Sequence, residues 1–138
     1  MKIPDGFKPH FRKSDFTNPW EPIYSQVLPD GVQLGLAVAA AHTNSRGFVH
    51  GGLIAALSDN TMGIACGLSL GDGARLVTAS LVTDYISSGE IGEWLVFDAE
   101  VLKSGRRLCF AQCLVTANDR LIARASATFS TLPQKADK

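Results

Sequence analysis

The sequence predicts an α+β fold in which a curved, mostly antiparallel sheet of five to six strands wraps around one long helix. Three observations predict it. Residues 47–71 form the most apolar stretch of the chain, and their apolar positions recur at helical spacing. From residue 75 onward the chain is strand-like, with alternating or β-branched apolar positions. A helix that is apolar nearly all round must be covered, and a sheet is what the rest of the chain offers.

The N-terminal part of the sequence predicts a lead-in followed by a hairpin. Residues 1–20 carry aromatics and prolines without sustained periodicity, so we expect an extended or partly helical segment. Residues 23–28 and 32–39 flank Pro29, Asp30 and Gly31, whose types suit a tight turn between two strands. A loop is expected over residues 41–47.

The apolar stretch predicts a helix over about residues 50–67. It is long enough to raise the question of a membrane span. However, Asp59 and Asn60 lie at its middle, glycine recurs along it, and no aromatic or basic anchors flank it. We therefore expect the buried helix of a soluble protein that has no membrane partner.

The remaining sequence predicts four strands. Residues 75–88 are rich in Val, Thr, Ile and Tyr, and residues 94–103 alternate apolar with acidic side chains. Residues 107–117 and 121–131 are joined at Asn118, Asp119 and Arg120, which suit a hairpin turn. Sheet edges left open by such a fold are commonly covered by a second copy of the chain, so a homo-oligomer is expected.

Composition indicates one domain over residues 1–138. Hydrophobic residues make up 46% and charged residues 19%, and thirteen basic side chains balance thirteen acidic ones. A chain with so weak an overall field is not expected to bind nucleic acid or an anionic membrane. The three cysteines form no CxxC pair and no signal peptide is evident, which favours reduced, buried thiols and a cytoplasmic location.

Asp59 is the first candidate functional residue, because it is the only charged residue between Arg46 and Asp72. A buried carboxylate is costly unless it is hydrogen-bonded or paired, and buried acids often mark functional sites. The alternative is that Asp59 points to a solvated strip of the helix or caps a turn.

His50, Gly51 and Gly52 stand where the helix should begin. The first amides of a helix lack internal acceptors and lie at the positive end of its dipole. Glycine lets a ligand approach them closely, so they could hold the oxyanion formed when a carbonyl is attacked. The alternative is close packing of the helix end against a strand.

Helix geometry links these two features to an oligomer. Gly51 and Asp59 are separated by about 12 Å along one helix, whereas reacting atoms must approach to roughly 3 Å. Two antiparallel helices related by a two-fold axis could place Gly51 of one subunit near Asp59 of the other. If both residues act on one substrate, the protein must be at least a dimer.

The motif around these residues resembles a known family. The run Asn-Ser-Arg-Gly-Phe-Val-His-Gly-Gly-Leu at residues 44–53, followed by Ala-Leu-Ser-Asp at 56–59, resembles the signature of hotdog-fold thioesterases of the phenylacetic-acid-pathway (PaaI) type. The resemblance extends through residues 77–81, Tyr85, residues 89–93 and residues 101–105, and covers roughly residues 25–132. It implies a hotdog fold and hydrolysis of an acyl-CoA by a homodimer, with relatives that are often dimers of dimers.

The resemblance also implies roles for individual residues. The Gly51 amide would polarise the thioester carbonyl, and Asn44 would orient the substrate or water. His50 would position the loop or assist the leaving thiolate, with a purely structural role as the alternative. Asp59 of the partner subunit would be general base or nucleophile, and Thr78 would steady the water or the carboxylate. Gly52 is expected to line the substrate site.

For coenzyme A we expect a contact with Lys103 and Arg106, which belong to a basic turn between two strands. Such side chains can hold phosphates, although a solvated turn that blunts a sheet edge is the alternative. Asp84 is either an exposed strand residue or part of the substrate channel. His42 and His50 lack partners with ligand spacing, so neither a metal nor another cofactor is expected.

Two other functions use the same fold. Hotdog hydratases and dehydratases act on α,β-unsaturated thioesters with a His–Asp or His–Glu pair at a different spacing, and some hotdog domains only bind acyl-CoA. A third pattern, Gly-Leu-Ser-Leu-Gly at residues 67–71, matches the nucleophile elbow of serine hydrolases. That motif needs a strand before its serine and a helix after it, the reverse of the order predicted here.

Overall fold

A computed structural model of the chain describes residues 1–133 and shows a seven-stranded antiparallel sheet curved around one helix. The strands lie in the order β1-β2-β3-β5-β6-β7-β4, so that β1 and β4 form the two edges. The elements are β1 (Lys8–Pro9), β2 (Tyr24–Leu28), β3 (Gly31–Ala37), α1 (Gly51–Leu70), β4 (Arg75–Tyr85), β5 (Trp94–Ser104), β6 (Leu108–Ala117) and β7 (Arg120–Leu132). This is the predicted hotdog architecture, with the two-residue β1 as the seventh strand.

Both predicted hairpin turns join neighbouring antiparallel strands. β2 pairs with β3 across the turn at Pro29 and Asp30. β6 pairs with β7 across Asn118 and Asp119, whose φ angles of 46° and 66° are those of a type I′ turn. Asn and Asp tolerate this left-handed conformation better than most residues, which explains the position of the turn.

The core lies between the concave face of the sheet and α1. Leu57, Met62 and Cys66 of the helix are fully buried against strand side chains such as Phe97 and Val115. By length and composition α1 could span a membrane, but half of its most apolar stretch is buried within the protein. It is therefore covered by the sheet in the way the sequence predicts. All three cysteines are buried and free.

The lead-in is fixed to the sheet by specific contacts. Lys8 and Pro9 pair with β2, and the buried His10 donates its amide to the Ile23 carbonyl and shares a hydrogen bond of 2.9 Å with the Ser25 hydroxyl. Burial lowers the pKa of His10 below its ordinary value. A short 3₁₀ helix, Asn18–Trp20, leads into β2. These contacts give the lead-in a defined path along one edge of the sheet.

Candidate active site

Asp59 and Thr78 form the central contact of the site. Asp59 is half-buried on α1, and its Oδ1 accepts a hydrogen bond of 2.7 Å from the hydroxyl of Thr78 on β4. A hydroxyl that donates to a carboxylate makes a charge-assisted hydrogen bond, which is stronger than one between neutral groups. Asp59 and Thr78, both of which the sequence indicated, are therefore in direct contact, and the Asp59 side chain is held in one orientation.

A cavity of about 420 Å³ opens beside this pair. It follows α1 from Asp59 past Gly63 and Gly67 toward the C-terminal end of the helix, with Phe129 of β7 in its wall. A Cβ atom placed on Gly67 would meet nothing within 4 Å, so this glycine faces open space. The carboxylate thus lies at the wall of a space large enough for a small ligand.

The N-terminus of α1 presents a free backbone amide. His50 is the N-cap, and its Nδ1 accepts a hydrogen bond of 2.8 Å from the amide of Gly52. The amide of Gly51 finds no acceptor among residues 1–133. Of the two glycine amides, Gly51 is therefore the one available to a ligand, and the observed contact of His50 is that of a helix cap.

Tyr85, which belongs to the sequence resemblance but has no role implied by it, holds this helix end. Its hydroxyl donates a hydrogen bond of 2.6 Å to the carbonyl oxygen of Gly51. The tyrosine belongs to β4, as does Thr78, so one strand contacts both Gly51 and Asp59. No sequence motif indicates this contact, because Tyr85 and Gly51 are 34 residues apart in the chain.

Asn44 organises the loop that precedes α1. Its Oδ1 accepts hydrogen bonds from the amides of Arg46 and Phe48, at 2.9 and 3.2 Å. The Val49 amide is in turn bound by the carbonyl of Gly89, at 2.8 Å. No acceptor for the Asn44 side-chain nitrogen lies within the described part of the chain, so its two N–H groups are available to a ligand.

One protomer does not bring Gly51 and Asp59 together. α1 is continuous between them, which keeps them about 12 Å apart along the helix axis. β4, which supports both, lies at the edge of the sheet and pairs only with β7 in the described structure. Its exposed residues include Val77, Val82 and Tyr85, so this open edge is partly apolar.

The predicted coenzyme A residues lie elsewhere in the protomer. Lys103 lines a second cavity, of about 670 Å³, which shares Leu68 with the first. Arg106 is exposed in the turn between β5 and β6 and lines neither of these cavities. Asp84 is an exposed strand residue whose carboxylate accepts from Arg124 at 2.9 Å. Within residues 1–133, no cluster of three or more His, Cys, Asp or Glu side chains could hold a metal ion.

Arg12 was not selected from the sequence, yet it lines the same cavity as Asp59 and Thr78. It lies in the lead-in, at the opposite edge of the sheet from β4. The curvature of the sheet around α1 brings the two regions to one cavity. No local pattern marks such a residue, because its position depends on the closure of the whole sheet.

The chain is similar to a known family and to characterised proteins. Residues 46–123 match the family model of the thioesterase superfamily. Human acyl-coenzyme A thioesterase 13 is 38% identical over 104 residues, which cover 72% of each chain.

Two solved structures resemble the whole fold. The zebra fish thioesterase superfamily member 2 has a TM-score of 0.77 and 30% identity, with 88% of each chain covered. A hypothetical thioesterase protein of Streptococcus pneumoniae TIGR4, crystallised with coenzyme A, has a TM-score of 0.75 and 25% identity. That match covers 85% of this chain and 94% of the other.

Proposed function

Since this chain belongs to the thioesterase superfamily, we propose that it hydrolyses the thioester of an acyl- or aryl-CoA to the free acid and coenzyme A. Its family makes the protein a thioester hydrolase, and the proposal concerns its acyl-CoA substrate and the roles of its residues. The observation that carries the mechanism is the Asp59 carboxylate, held by Thr78 at the wall of the cavity.

In this mechanism the thioester carbonyl oxygen accepts a hydrogen bond from the Gly51 amide. That amide has no acceptor of its own among residues 1–133 and lies at the positive end of α1. Negative charge that develops on the oxygen during attack is stabilised there without any rearrangement. His50 caps the helix, Gly52 leaves room for the substrate, and Asn44 orients the substrate or water through its free amide nitrogen.

Asp59 of the partner subunit acts on the carbonyl carbon, either directly or through water. As general base it removes a proton from water, whose oxygen forms the new C–O bond. The C–S bond then breaks, and the thiolate of coenzyme A leaves and is protonated. As nucleophile its oxygen instead forms the new bond to the carbonyl carbon, and the C–S bond breaks to release the thiolate. Water then hydrolyses the resulting anhydride to the free acid and the Asp59 carboxylate. In both routes the Thr78 hydroxyl keeps the carboxylate oriented.

The open edge of β4 supports a site shared between two subunits. Unpaired strand edges with apolar side chains are normally covered. Pairing of β4 with the same strand of a second copy would cover Val77 and Val82 and bring two Gly51–Asp59 sets near one two-fold axis. We propose a homodimer on this basis, with a dimer of dimers as the higher assembly.

The same proposal assigns the phosphates of coenzyme A to Lys103 and Arg106. Both are exposed, and neither forms an ion pair with another residue in the described range 1–133. Guanidinium and ammonium groups in such a turn can bind phosphate oxygens. Both residues lie outside the Asp59 cavity, so they would contact the nucleotide end of the substrate.

Release of free thiol from a panel of acyl-CoAs tests the activity. Asp59→Asn keeps the shape of the side chain but removes the base, and we expect kcat to fall at least a hundredfold with an unchanged melting temperature. Activity near that of the wild type would exclude Asp59 from the chemistry. Hydration of crotonyl-CoA without thiol release would indicate a hydratase, and binding without turnover a carrier of acyl-CoA.

Mixed subunits test the shared site. Asp59→Ala and Gly51→Pro each destroy one half of it. Proline is tolerated at residue 51, the first position of α1, because the preceding residue, His50, has an extended backbone with ψ of 130°. The Tyr85 ring must shift by a few tenths of an ångström, since its Cε1 lies 3.3 Å from a Cβ at residue 51.

In a heterodimer of the two variants one site is intact and the other lacks both groups. After random exchange we expect roughly a quarter of the wild-type activity, from two inactive parents. Demonstrated heterodimers without activity would refute a site built from two subunits.

A further inference from the structure

We propose that Arg12 binds an anionic oxygen group of the thioester substrate inside the Asp59 cavity: a carboxylate on the acyl group, or a phosphate of coenzyme A. The inference rests on the proposed function and adds a specificity-determining residue to it. Arg12 is part of the cavity lining that also includes Asp59, Thr78 and Phe129. Its guanidinium offers planar, paired donors that match a carboxylate or a phosphate.

Arg12 is placed at the cavity by contacts on both sides of it in the chain. Before it, His10 is buried and bound to the backbone of Ile23 and the side chain of Ser25. After it, the hydroxyl groups of Ser14 and the buried Thr17 share a hydrogen bond of 2.9 Å. The segments on both sides are therefore held in place, while within residues 1–133 no ion pair or hydrogen bond engages Arg12 itself.

The charged residues of the cavity indicate why an anionic ligand would need Arg12. The Asp59 carboxylate lines the same space. An anionic group entering it would be repelled by this carboxylate, so binding such a group requires a cation within a few ångströms. Arg12 is the one basic residue of residues 1–133 that lines this cavity. A purely apolar acyl group would gain nothing from it.

Binding of substrate analogues that cannot be hydrolysed tests the role without depending on catalysis. The probes are S-(3-carboxypropyl)-coenzyme A and S-butyl-coenzyme A, two thioethers of matched length, together with coenzyme A itself. Dissociation constants are measured by titration calorimetry for the wild type, Arg12→Gln, Arg12→Lys and Lys13→Gln. Lys13→Gln is the matched control, because it removes an adjacent positive charge that does not line the cavity.

Two results support the proposal and identify the source of the anion. If the anion is an acyl carboxylate, Arg12→Gln raises the dissociation constant of the carboxypropyl analogue about tenfold or more and leaves that of the butyl analogue unchanged. If the anion is a phosphate, the substitution raises the dissociation constants of all three probes by the same factor. In both cases Arg12→Lys binds with intermediate strength, since it keeps the charge without the paired donors, and Lys13→Gln changes affinity less than twofold.

Two results overturn it: Arg12→Gln binds every probe within twofold of the wild type, or Lys13→Gln weakens the probes as much as Arg12→Gln does. The kinetic counterpart is kcat/KM for succinyl-CoA against butyryl-CoA, whose acyl groups have the same number of carbon atoms. A wild-type protein that hydrolyses no thioester but binds these analogues in an Arg12-dependent way would refute the proposed function alone. Hydrolysis with no effect of Arg12→Gln would refute this inference alone.

Discussion

Within residues 1–133, Asp59 owes its orientation to a single hydroxyl, that of Thr78. An acid on an otherwise apolar helix must be hydrogen-bonded or solvated, and here it is both half-exposed and bound by Thr78. Because the same carboxylate is proposed to act on the substrate, loss of the hydroxyl should affect catalysis more than folding. This distinguishes a positioning role from a structural one.

Thr78→Val removes that hydroxyl while conserving volume. We expect kcat to fall about tenfold to a hundredfold, the range for one hydrogen bond to a charged group, with KM nearly unchanged. Thr78→Ser should retain most of the activity, since its hydroxyl can reach Oδ1. Steady-state kinetics on the best substrate of the thiol-release panel measures both.

Thr83→Val is the matched control on the same strand. The Thr83 hydroxyl is buried without a hydrogen-bond partner in the described structure. Its replacement should leave kcat unchanged and the melting temperature equal or higher, because an unsatisfied buried polar group is removed. An equal loss of kcat in both valine variants would show that the effect of Thr78 comes from β4 as a whole.

At the residue scale, the sequence predicted Asp59, Gly51 and Asn44 because their motif lies within one short stretch of chain. Arg12 escaped prediction, because sequence spacing carries no information about which distant segment the sheet brings to the cavity. His50 was left between a catalytic and a structural role, and the hydrogen bond from Gly52 to its Nδ1 favours the cap.

At the scale of elements, α1 is a wall of the cavity as well as a core helix. The predicted end near Gly67 is three residues too early, because the glycine there does not stop the helix. The helix ends at Leu70, where Gly71 takes a φ of 95° that favours glycine. The lead-in was predicted without a strand, since the two residues of β1 are too few to produce an alternating pattern.

Gly67 offers a test of how α1 shapes the cavity. Gly67→Ala should raise the free energy of unfolding by about 0.5–1 kcal/mol, because alanine favours the helix and the added methyl meets nothing within 4 Å. At Gly63 the same change places Cβ 3.3 Å from the Phe129 ring, so the gain there should be smaller or absent. Chemical denaturation of both variants measures the difference.

A larger side chain at the same position should change specificity. Gly67→Leu fills part of the cavity beyond Asp59, so kcat/KM for long acyl-CoAs should fall several-fold more than that for acetyl-CoA. An unchanged preference for chain length would show that the acyl group does not enter this cavity.

The contact between β4 and the start of α1 can be tested at Tyr85. Tyr85→Phe deletes the hydrogen bond to the Gly51 carbonyl, and we expect a stability loss of about 1 kcal/mol and a several-fold fall in kcat/KM, because the Gly51 amide is less well placed. Tyr24→Phe, at the other tyrosine of the chain, should change neither. Equal effects of both substitutions would argue against a specific role for this contact.

At the scale of the whole molecule, one strand, β4, forms both an edge of the sheet and part of the candidate active site. β4 leaves one side unpaired in the described structure, and its side chains hold Asp59 and Gly51. Dimerisation through this edge would therefore complete the site and cover exposed apolar surface together. Activity and assembly should then change in parallel.

Val82→Lys tests this coupling. The side chain is 54% exposed on β4, so the change should cost the isolated subunit little, whereas lysine on a strand edge hinders pairing with another strand. We expect a shift toward monomer in analytical ultracentrifugation and a proportional loss of specific activity. Val27→Lys, on a valine that is 60% exposed on β2, should leave the assembly unchanged in the same measurement. A fully active monomeric Val82→Lys would refute the shared site.

The sheet order also has a consequence for how the protein reaches its active form. Within residues 1–133, β4 has a single neighbour, and that neighbour is β7, which is synthesised after the other strands of this range. Thr78 therefore has no fixed position relative to α1 until residues 120–132 are available, and long-range pairings of this kind are slow to form. A nascent or truncated chain that lacks β7 can already contain the whole Asn44–Asp59 motif and still be unable to catalyse anything.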